Sequence, residues 1–591
     1  MSYLRSFEKN LPPEIKNQID QEAQQNLVSI VSGLKSSLED ESALLNNYFP
    51  ALHRYVSLYK LPKQTLVEVV ELLYAQLSKH MSVLALNSTL SLLSRLLKNK
   101  KNLSLVLDQK VLYKLYRFYM SSSVAKTHLL KEPQVFPLIK SILELIKKAQ
   151  KYFPKDSTRS TFEKFEAELC PGGNVSLAFL MMTNLVNPRV PVPEDLVEKF
   201  IAYWEAHHRF LNVDMNMCAF LGDASKHTQI NWESFLGRIY DLLSSSKREL
   251  PSNGPKPYKI HDNLANIMNM AVHKQSQAHY MAKFIVYSLK LEGNSLQLFK
   301  KFILEIRSQF KEPKKGSFGV TLLKKLCLHM CKRLRRSKEN LCEAPSEELL
   351  QAFYKVVKPC FAIAVHTRQF QEAIGETCSY LSFLVPQEFI PFAFEQAFVL
   401  LDDFDIPHLF PLNMILRLLR ATLDENVFNE KERIPQVLQV CLTEMSSSDM
   451  KKTCCVLDII GLISSLTQLE TVLMGAFEEW SEAFFGSLLE VLSELEEKED
   501  DQTKQSFFHK ADIKIRENLE RNFRLVVSSV ENTLTQEWED TFLRYIRSNT
   551  AIFACEEFGV IAAVLSEKNS KFVVKLQEVA KSVLSSDRSH K

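Results

Sequence analysis

The sequence predicts an all-α fold, an α-solenoid of HEAT-like helix pairs, on three observations. Apolar residues recur at helical spacing along the chain, and no stretch shows the strict alternation of a half-buried strand. Gly contributes only 14 of 591 residues, about a third of the roughly 7% usual share, so hairpins and glycine-rich phosphate loops must be few. Pro386 and Pro435 open corresponding segments 49 residues apart with another helix starting near Pro407 between them, and two helices in about 40 to 50 residues is the HEAT spacing. An irregular helical bundle is the structural alternative, and the number of paired segments favours the solenoid.

Taken in order, the segments justify themselves. In LPKQTLVEVVELLYAQL, Leu66, Val69, Val70, Leu73 and Leu77 form one stripe, Glu68 and Glu71 face away, and Pro62 suits the start of a helix. EPQVFPLIKSILELIKKAQ (132–150), VPEDLVEKFIAYWEA (192–206), INWESFLGRIYDLL (230–243) and APSEELLQAFYKVV (344–357) follow the same pattern. So do VPQEFIPFAFEQAFVLL (385–401), IPHLFPLNMILRLLRATL (406–423) and IPQVLQVCLTEM (434–445). Most open with Pro or a capping polar residue, and several carry an acid in the first turn, where it complements the helix dipole. SSSKRELPSNGPKPYK (244–259), FKEPKKGSFG (310–319) and LEEKEDDQTKQ (495–505) read as interhelical loops, and CPGG (170–173) as a turn. The first of these breaks divides the expectation into an N-terminal array, 1–259, and a middle array, 260–591, that continues the same solenoid.

Composition narrows the function classes. Lys and Arg total 73 against 70 Asp and Glu, which lacks the strong field of a dedicated nucleic-acid binder and makes any polyanion site local. No apolar run reaches the roughly 18 residues a membrane span needs, since Asp458 interrupts VLDIIGLISSL and Pro386 and Pro391 punctuate LVPQEFIPFAF. The 11 Cys are scattered and MSYLRSFEKNLPP is too polar for a secretory leader, so a reducing compartment, nucleus or cytosol, is expected.

The local polyanion candidate is LLKKLCLHMCKRLRRSK, residues 322–338, with seven Lys or Arg in seventeen positions. On a helical wheel Leu322, Leu323, Leu326, Met330 and Leu334 form the apolar sector, with Lys324, Lys325, Lys332, Arg335 and Arg336 largely opposite. The structural interpretation is a solvated helix face, and the functional one is binding of a polyanion. Upstream, Lys314, Lys315, Gly316, Ser317 and Gly319 suggest either a plain turn or backbone N–H groups offered to phosphate beside two cations. His329 leaves the edge shared by Cys327 and Cys331, so C-x-H-x-C cannot converge on zinc while helical. No catalytic constellation emerges, and an enzyme is not expected. His207 and His208 project to different sides of a helix, Asp402, Asp403 and Asp405 are explained by capping, and Cys454 and Cys455 sit among apolar residues that favour burial over reactivity.

Read end to end, the chain resembles the Blm-type family of large single-chain HEAT-repeat proteasome activators. The resemblance is carried by YFPALHRYVSLYKLPKQTLVEVVELLYAQLS, LLSRLLKNKKNLS, KAQKYFPKDSTRSTFEKFEAELCP, INWESFLGRIYDLL, IPFAFEQAFVLLDDFDIPH and MKKTCCVLDIIGLIS, in the family's order and approximate spacing. Tyr152, Phe153, Pro154, Cys170 and Pro171 match the most distinctive segment, and the matches run from about Leu11 to beyond Trp480. The resemblance implies a hollow dome over the α-ring of the proteasome core particle, promoting ATP-independent hydrolysis of peptides and degradation of acetylated histones, with links to DNA repair. It implies nuclear and cytoplasmic location, no catalytic residue, no required cofactor, and inositol polyphosphate as a ligand of basic openings, for which the segment 314–336 is the candidate here. No membrane partner and no sequence-specific nucleic-acid partner are implied.

The family's chain is several times longer and ends in a hydrophobic residue, a Tyr and one further residue, whereas Ser589, His590 and Lys591 end this one. The expectation is therefore an N-terminal and middle portion that associates with the proteasome, with gate opening left open by the departure at the tail. The rival from another class is a HEAT-type scaffold or transport adaptor for acidic cargo.

Overall fold

A computed structural model describes residues 13–39, 45–78, 83–98, 103–120, 132–166, 169, 175–207, 211–226, 230–245, 277–307, 310, 313–338, 343–367, 370–403, 406–424, 426–428, 431–446, 449–499, 505–530, 532–548 and 556–588. Among them the secondary structure is helical and no strand occurs. The chain divides into two compact units, Met1–Ser288 and Leu289–Lys591, whereas the sequence places the division at 259/260, within a stretch outside the described residues.

The first unit contains α1 (Pro13–Glu39), α2 (Leu45–Leu58), α3 (Lys63–Gln76), α4 (Val83–Leu96), α5 (Gln109–Met120), α6 (Glu132–Ala149), α7 (Ser157–Glu166), α8 (Val175–Asn184), α9 (Glu194–His207), α10 (Leu211–Ala224), α11 (Glu233–Ser245) and α12 (277–288). Contacts run to the next helix and to the one after it: α2 packs on α4 and α4 on α6, α8 packs on α10, and α9 packs on α11. A helix pair with two apolar faces cannot be satisfied alone, and stacking the next pair covers it. The predicted stripe of α3 lies within this core, with Leu66, Val69, Val70, Leu73 and Leu77 all buried.

The second unit repeats the plan. It comprises α13 (Ser295–Arg307), α14 (Pro313–Lys338), α15 (Glu347–Ala364), α16 (Gln371–Leu384), α17 (Pro386–Leu401), α18 (Leu409–Thr422), α19 (Ile434–Glu444), α20 (Met450–Leu466), α21 (Leu469–Leu473), α22 (Phe477–Glu499), α23 (Gln505–Ser529), α24 (Asn532–Ser548), α25 (Glu556–Lys568) and α26 (Ser570–Arg588). One layer runs α14, α16, α18, α20, α23, α25, each against the next, while α13 packs on α15 and α19, α22, α24 and α26 succeed one another in the other layer. The expected starts at Pro386, near Pro407 and near Pro435 are those of α17, α18 and α19. At α17 and α19 proline stands in the first turn, where the N–H has no intrahelical acceptor, and Pro407 lies just before the N-cap His408 of α18. Ser346 caps α15 by accepting from Leu349 N–H at 3.2 Å, and Asp449 caps α20 by accepting from Lys452 N–H at 3.1 Å.

Two loop expectations are corrected. FKEPKKGSFG is helical from Pro313 onward, and LEEKEDDQTKQ is helical through Glu499 and again from Gln505. Pro313 occupies the first helical position, and a Cβ on Gly319 would lie 3.0 Å from Phe310 Cε2 and 3.1 Å from Ile306 Cγ2, so the glycine serves close packing rather than a turn. CPGG, 246–259, His208 and Asp405 lie outside the described residues.

α20 and α23 pack closely around a polar knot. Asp458 Oδ1 accepts from Asn518 Nδ2 at 3.0 Å and Asn522 Nδ2 at 2.8 Å, and pairs with Arg521 Nη2 at 2.5 Å. A Cβ on Gly461 would stand 2.6 Å from Asn522 Oδ1, and Asn522, buried and held by Asp458, has little freedom to yield. Gly461→Ala is therefore expected to destabilise by about 1–3 kcal/mol although alanine is the better helix former by about 1 kcal/mol. A urea midpoint that stays level or rises would contradict the close approach.

Candidate functional site

α14 carries the predicted basic segment. Leu322, Leu323, Leu326 and Met330 are buried as the wheel requires, and Leu334 is half-buried. The wet side is narrower than the sequence implied. Lys324 is half-buried and pairs with Glu376 Oε1 of α16 at 2.7 Å. Lys325 is half-buried too; burial first, then the neighbouring Lys324 charge, lowers its proton affinity against the pull of Glu376. Lys332 and Arg335 are exposed, and Arg336 is half-buried. Lys314 and Lys315 fall in the first turn of α14, and their side chains lie outside the described residues. The turn that would have offered backbone N–H groups to phosphate is helix, so the loop form of that site is withdrawn.

Two residues on α14 behave unlike their counterparts on the wheel. Arg333 and His329, four apart on one flank, are both buried, and Arg333 Nη1 donates to the carbonyl of Leu289 at 2.8 Å. The guanidinium thus satisfies a main-chain carbonyl at the start of the second unit. Lys151 reaching Leu97 O at 3.2 Å and Lys568 reaching Val527 O at 2.7 Å do the same elsewhere. The opposite flank of α14 holds Cys327 and Cys331, with Cys378 of α16 near Cys327. Burial pushes the Cys331 thiol up to about 12 and raises Cys327 and Cys378 as well, and Cys331 Sγ donates to Tyr380 O at 3.5 Å. These thiols pack as small apolar groups rather than as nucleophiles. Cys454 and Cys455 on α20 are raised likewise, to about 11 and about 12, chiefly by burial. Among the described residues no group of three or more His, Cys, Asp or Glu could hold a metal ion.

The first unit holds the polar centre that sequence reasoning missed. Asp214 of α10 is buried and accepts from Trp204 Nε1 of α9 at 2.7 Å. Burial drives its carboxyl up to about 7, outweighing that hydrogen bond. Farther along α10, Asp223 Oδ1 pairs with Lys226 Nζ at 2.8 Å and with the buried ammonium of Lys283 from α12. Beside Asp223 a cleft lined by Gln150, Thr183, Asn187 and Phe220 leaves about 20 Å³, room for a water molecule and no organic ligand. Asp223 and Lys226 are three residues apart and locally legible, but nothing local announces Lys283, which meets Asp223 only through the stacking of α10 on α12.

No protein-family model and no curated protein sequence matches the chain.

Proposed function

We propose that the chain is a non-catalytic, wall-forming helical array of an ATP-independent proteasome activator, docking on the α-ring of the proteasome core particle in nucleus and cytoplasm. In this reading it contributes to peptide and acetylated-histone degradation by binding rather than by chemistry of its own. The observation that carries it is the ordered series of segments resembling that family, several of which form packed parts of the array. In the most distinctive one, Tyr152 and Phe153 are buried, and the Phe153 carbonyl accepts from Asn187 Nδ2 at 2.7 Å. An extended array of helix pairs distributes many weak contacts over a large ring, the geometry a docking wall needs. Inositol polyphosphate on α14 belongs to the same proposal, with the exposed Lys332 and Arg335 and the half-buried Arg336 as its principal contacts.

The test is a native-gel shift of purified core particle with this chain, read with fluorogenic-peptide hydrolysis in the same lanes. Comigration is expected; faster hydrolysis in the shifted band would add gate opening. Absence of a shift with folded protein would sink the proposal and favour the second reading, a scaffold or transport adaptor for acidic cargo, which the unpaired cations described next support.

A further inference from the structure

α5 carries Lys110, Lys114 and Arg117 at i, i+4 and i+7, so the three leave one helix face within about 10 Å of axis at roughly 1.5 Å per residue. Lys164 joins them from α7. Its Nζ stands 4.1 Å from the ring centroid of Tyr113, and Arg117 Nη1 reaches the hydroxyl of the same tyrosine at 3.4 Å. The two helices are fastened together beneath the cations. Gln109 Nε2 donates to Thr161 Oγ1 at 2.8 Å, Ser157 Oγ donates to Gln109 Oε1 at 3.0 Å, and Tyr113 meets Phe165 edge-on with centroids 5.0 Å apart. The charges therefore cannot spread by sliding one helix along the other.

All four cations are exposed, and none is ion-paired with a described residue. After burial, the charges of Lys110, Arg117 and Lys114 are what lower the proton affinity of Lys164, with Asp108 the one acid acting the other way. Asp108 is already engaged as the N-cap of α5, its Oδ1 accepting from Lys110 N–H at 2.9 Å. Some other cations of the same unit are paired, Arg159 with Asp195, Lys199 with Glu166 and the half-buried Arg238 with Glu198 and Glu205, and what sets these four apart is that they stand together on two fastened helices. A rigid group of like charges that no described residue neutralises, in a chain otherwise near charge balance, is an arrangement that a complementary anion would relieve.

The geometry points to Lys110, Lys114, Arg117 and Lys164 as a docking face for an acidic peptide segment carrying three or four carboxylates. The spacing fits such a ligand: Lys110 and Lys114 are about 6 Å apart along the axis, close to the separation of Glu residues at i and i+4 of a helix or of alternate residues of a strand. A nucleic acid fits less well, because its binders typically neutralise six or more phosphates and offer aromatic rings for stacking, whereas Tyr113 is 6% exposed and covered by Lys164. The inference is independent of proteasome docking.

Fluorescence anisotropy with labelled octaglutamate and the full chain tests it. At low salt the wild type should bind saturably. The variant Lys110→Gln/Lys114→Gln/Arg117→Gln should bind about tenfold more weakly, the product of three exposed ion pairs, while Lys571→Gln should bind as the wild type does. Lys114→Glu alone, an exposed mid-helix change, should weaken binding with helicity by circular dichroism unchanged. No saturable binding by the wild type, or equal weakening in Lys571→Gln, would overturn the docking face. Tighter capture of a single-stranded oligonucleotide or of inorganic polyphosphate, abolished by the same triple variant, would overturn the peptide assignment and give the face to phosphate.

Discussion

Asp223→Ala is expected to destabilise the first unit by about 3–5 kcal/mol, the range for leaving a buried charge without its partner. The side chain of Lys283 is 9% exposed and that of Asp223 33%, so the two ends of the pair are not equivalent. Removing the carboxylate leaves an ammonium desolvated against α10, with Lys226 as a second positive charge beside it. Removing the ammonium instead, by Lys283→Met, leaves a carboxylate that still meets water and Lys226, and about 1–2 kcal/mol is expected. Local relaxation is restricted, because a Cβ on Gly222 would already lie 3.0 Å from the Tyr280 carbonyl. The double variant Asp223→Leu/Lys283→Met should recover most of the loss, since an apolar pair of similar volume has no charge to desolvate. Urea unfolding, with hydrogen exchange resolving 211–224 and 277–288, measures all three. A larger loss for Lys283→Met than for Asp223→Ala would refute the asymmetry.

What the sequence made legible follows from the range of the interactions involved. The amphipathic stripe of α3 and the proline starts of α17 and α19 depend on neighbours within about one helical turn, and the chain states them directly. α14 was only half legible for a related reason. A wheel assumes one buried face, but a helix in a two-layer array meets its own partner and a neighbour on either side, so Arg333 and His329 went under along with Leu326 and Met330. Lys314-Lys315-Gly316-Ser317 has turn composition, and Pro313 as first helical residue overrode it. The meeting of Lys164 with Lys110, of Asp214 with Trp204 and of Asp223 with Lys283 requires the order in which helices stack. Periodicity gives the helices, but it does not say which exposed Lys will stand beside a Lys of another helix.

Asp214 gives the second large effect, with a sign opposite to that of its neighbour on α10. Its carboxyl is raised from 3.8 to about 7 in the folded chain, because burial penalises the charged form more than the Trp204 hydrogen bond favours it. The folded state therefore holds this proton more tightly than the unfolded state. The favourable contribution is complete below about pH 4 and is lost as pH rises through about 7, a difference on the order of 4 kcal/mol. Asp223 acts in another window. Burial alone would raise it, but Lys283 and Lys226 outweigh burial and hold it down at about 2, so its stabilisation is present above about pH 4 and lost toward pH 2. Between pH 4 and 7 Asp214 contributes a falling slope, against which His53 and Lys283, both lowered chiefly by burial, act in the opposite sense toward the upper end of the window. Asp214→Asn keeps an oxygen for Trp204 and cannot ionise, so its stability relative to wild type should rise steadily from pH 4.5 to pH 8. The measurement is the urea midpoint at both values, followed by the fluorescence of the first unit's tryptophans, Trp204 among them. Parallel pH profiles for variant and wild type would mean that Asp214 is charged in the fold throughout, with water or a cation meeting it inside the α9–α10 contact.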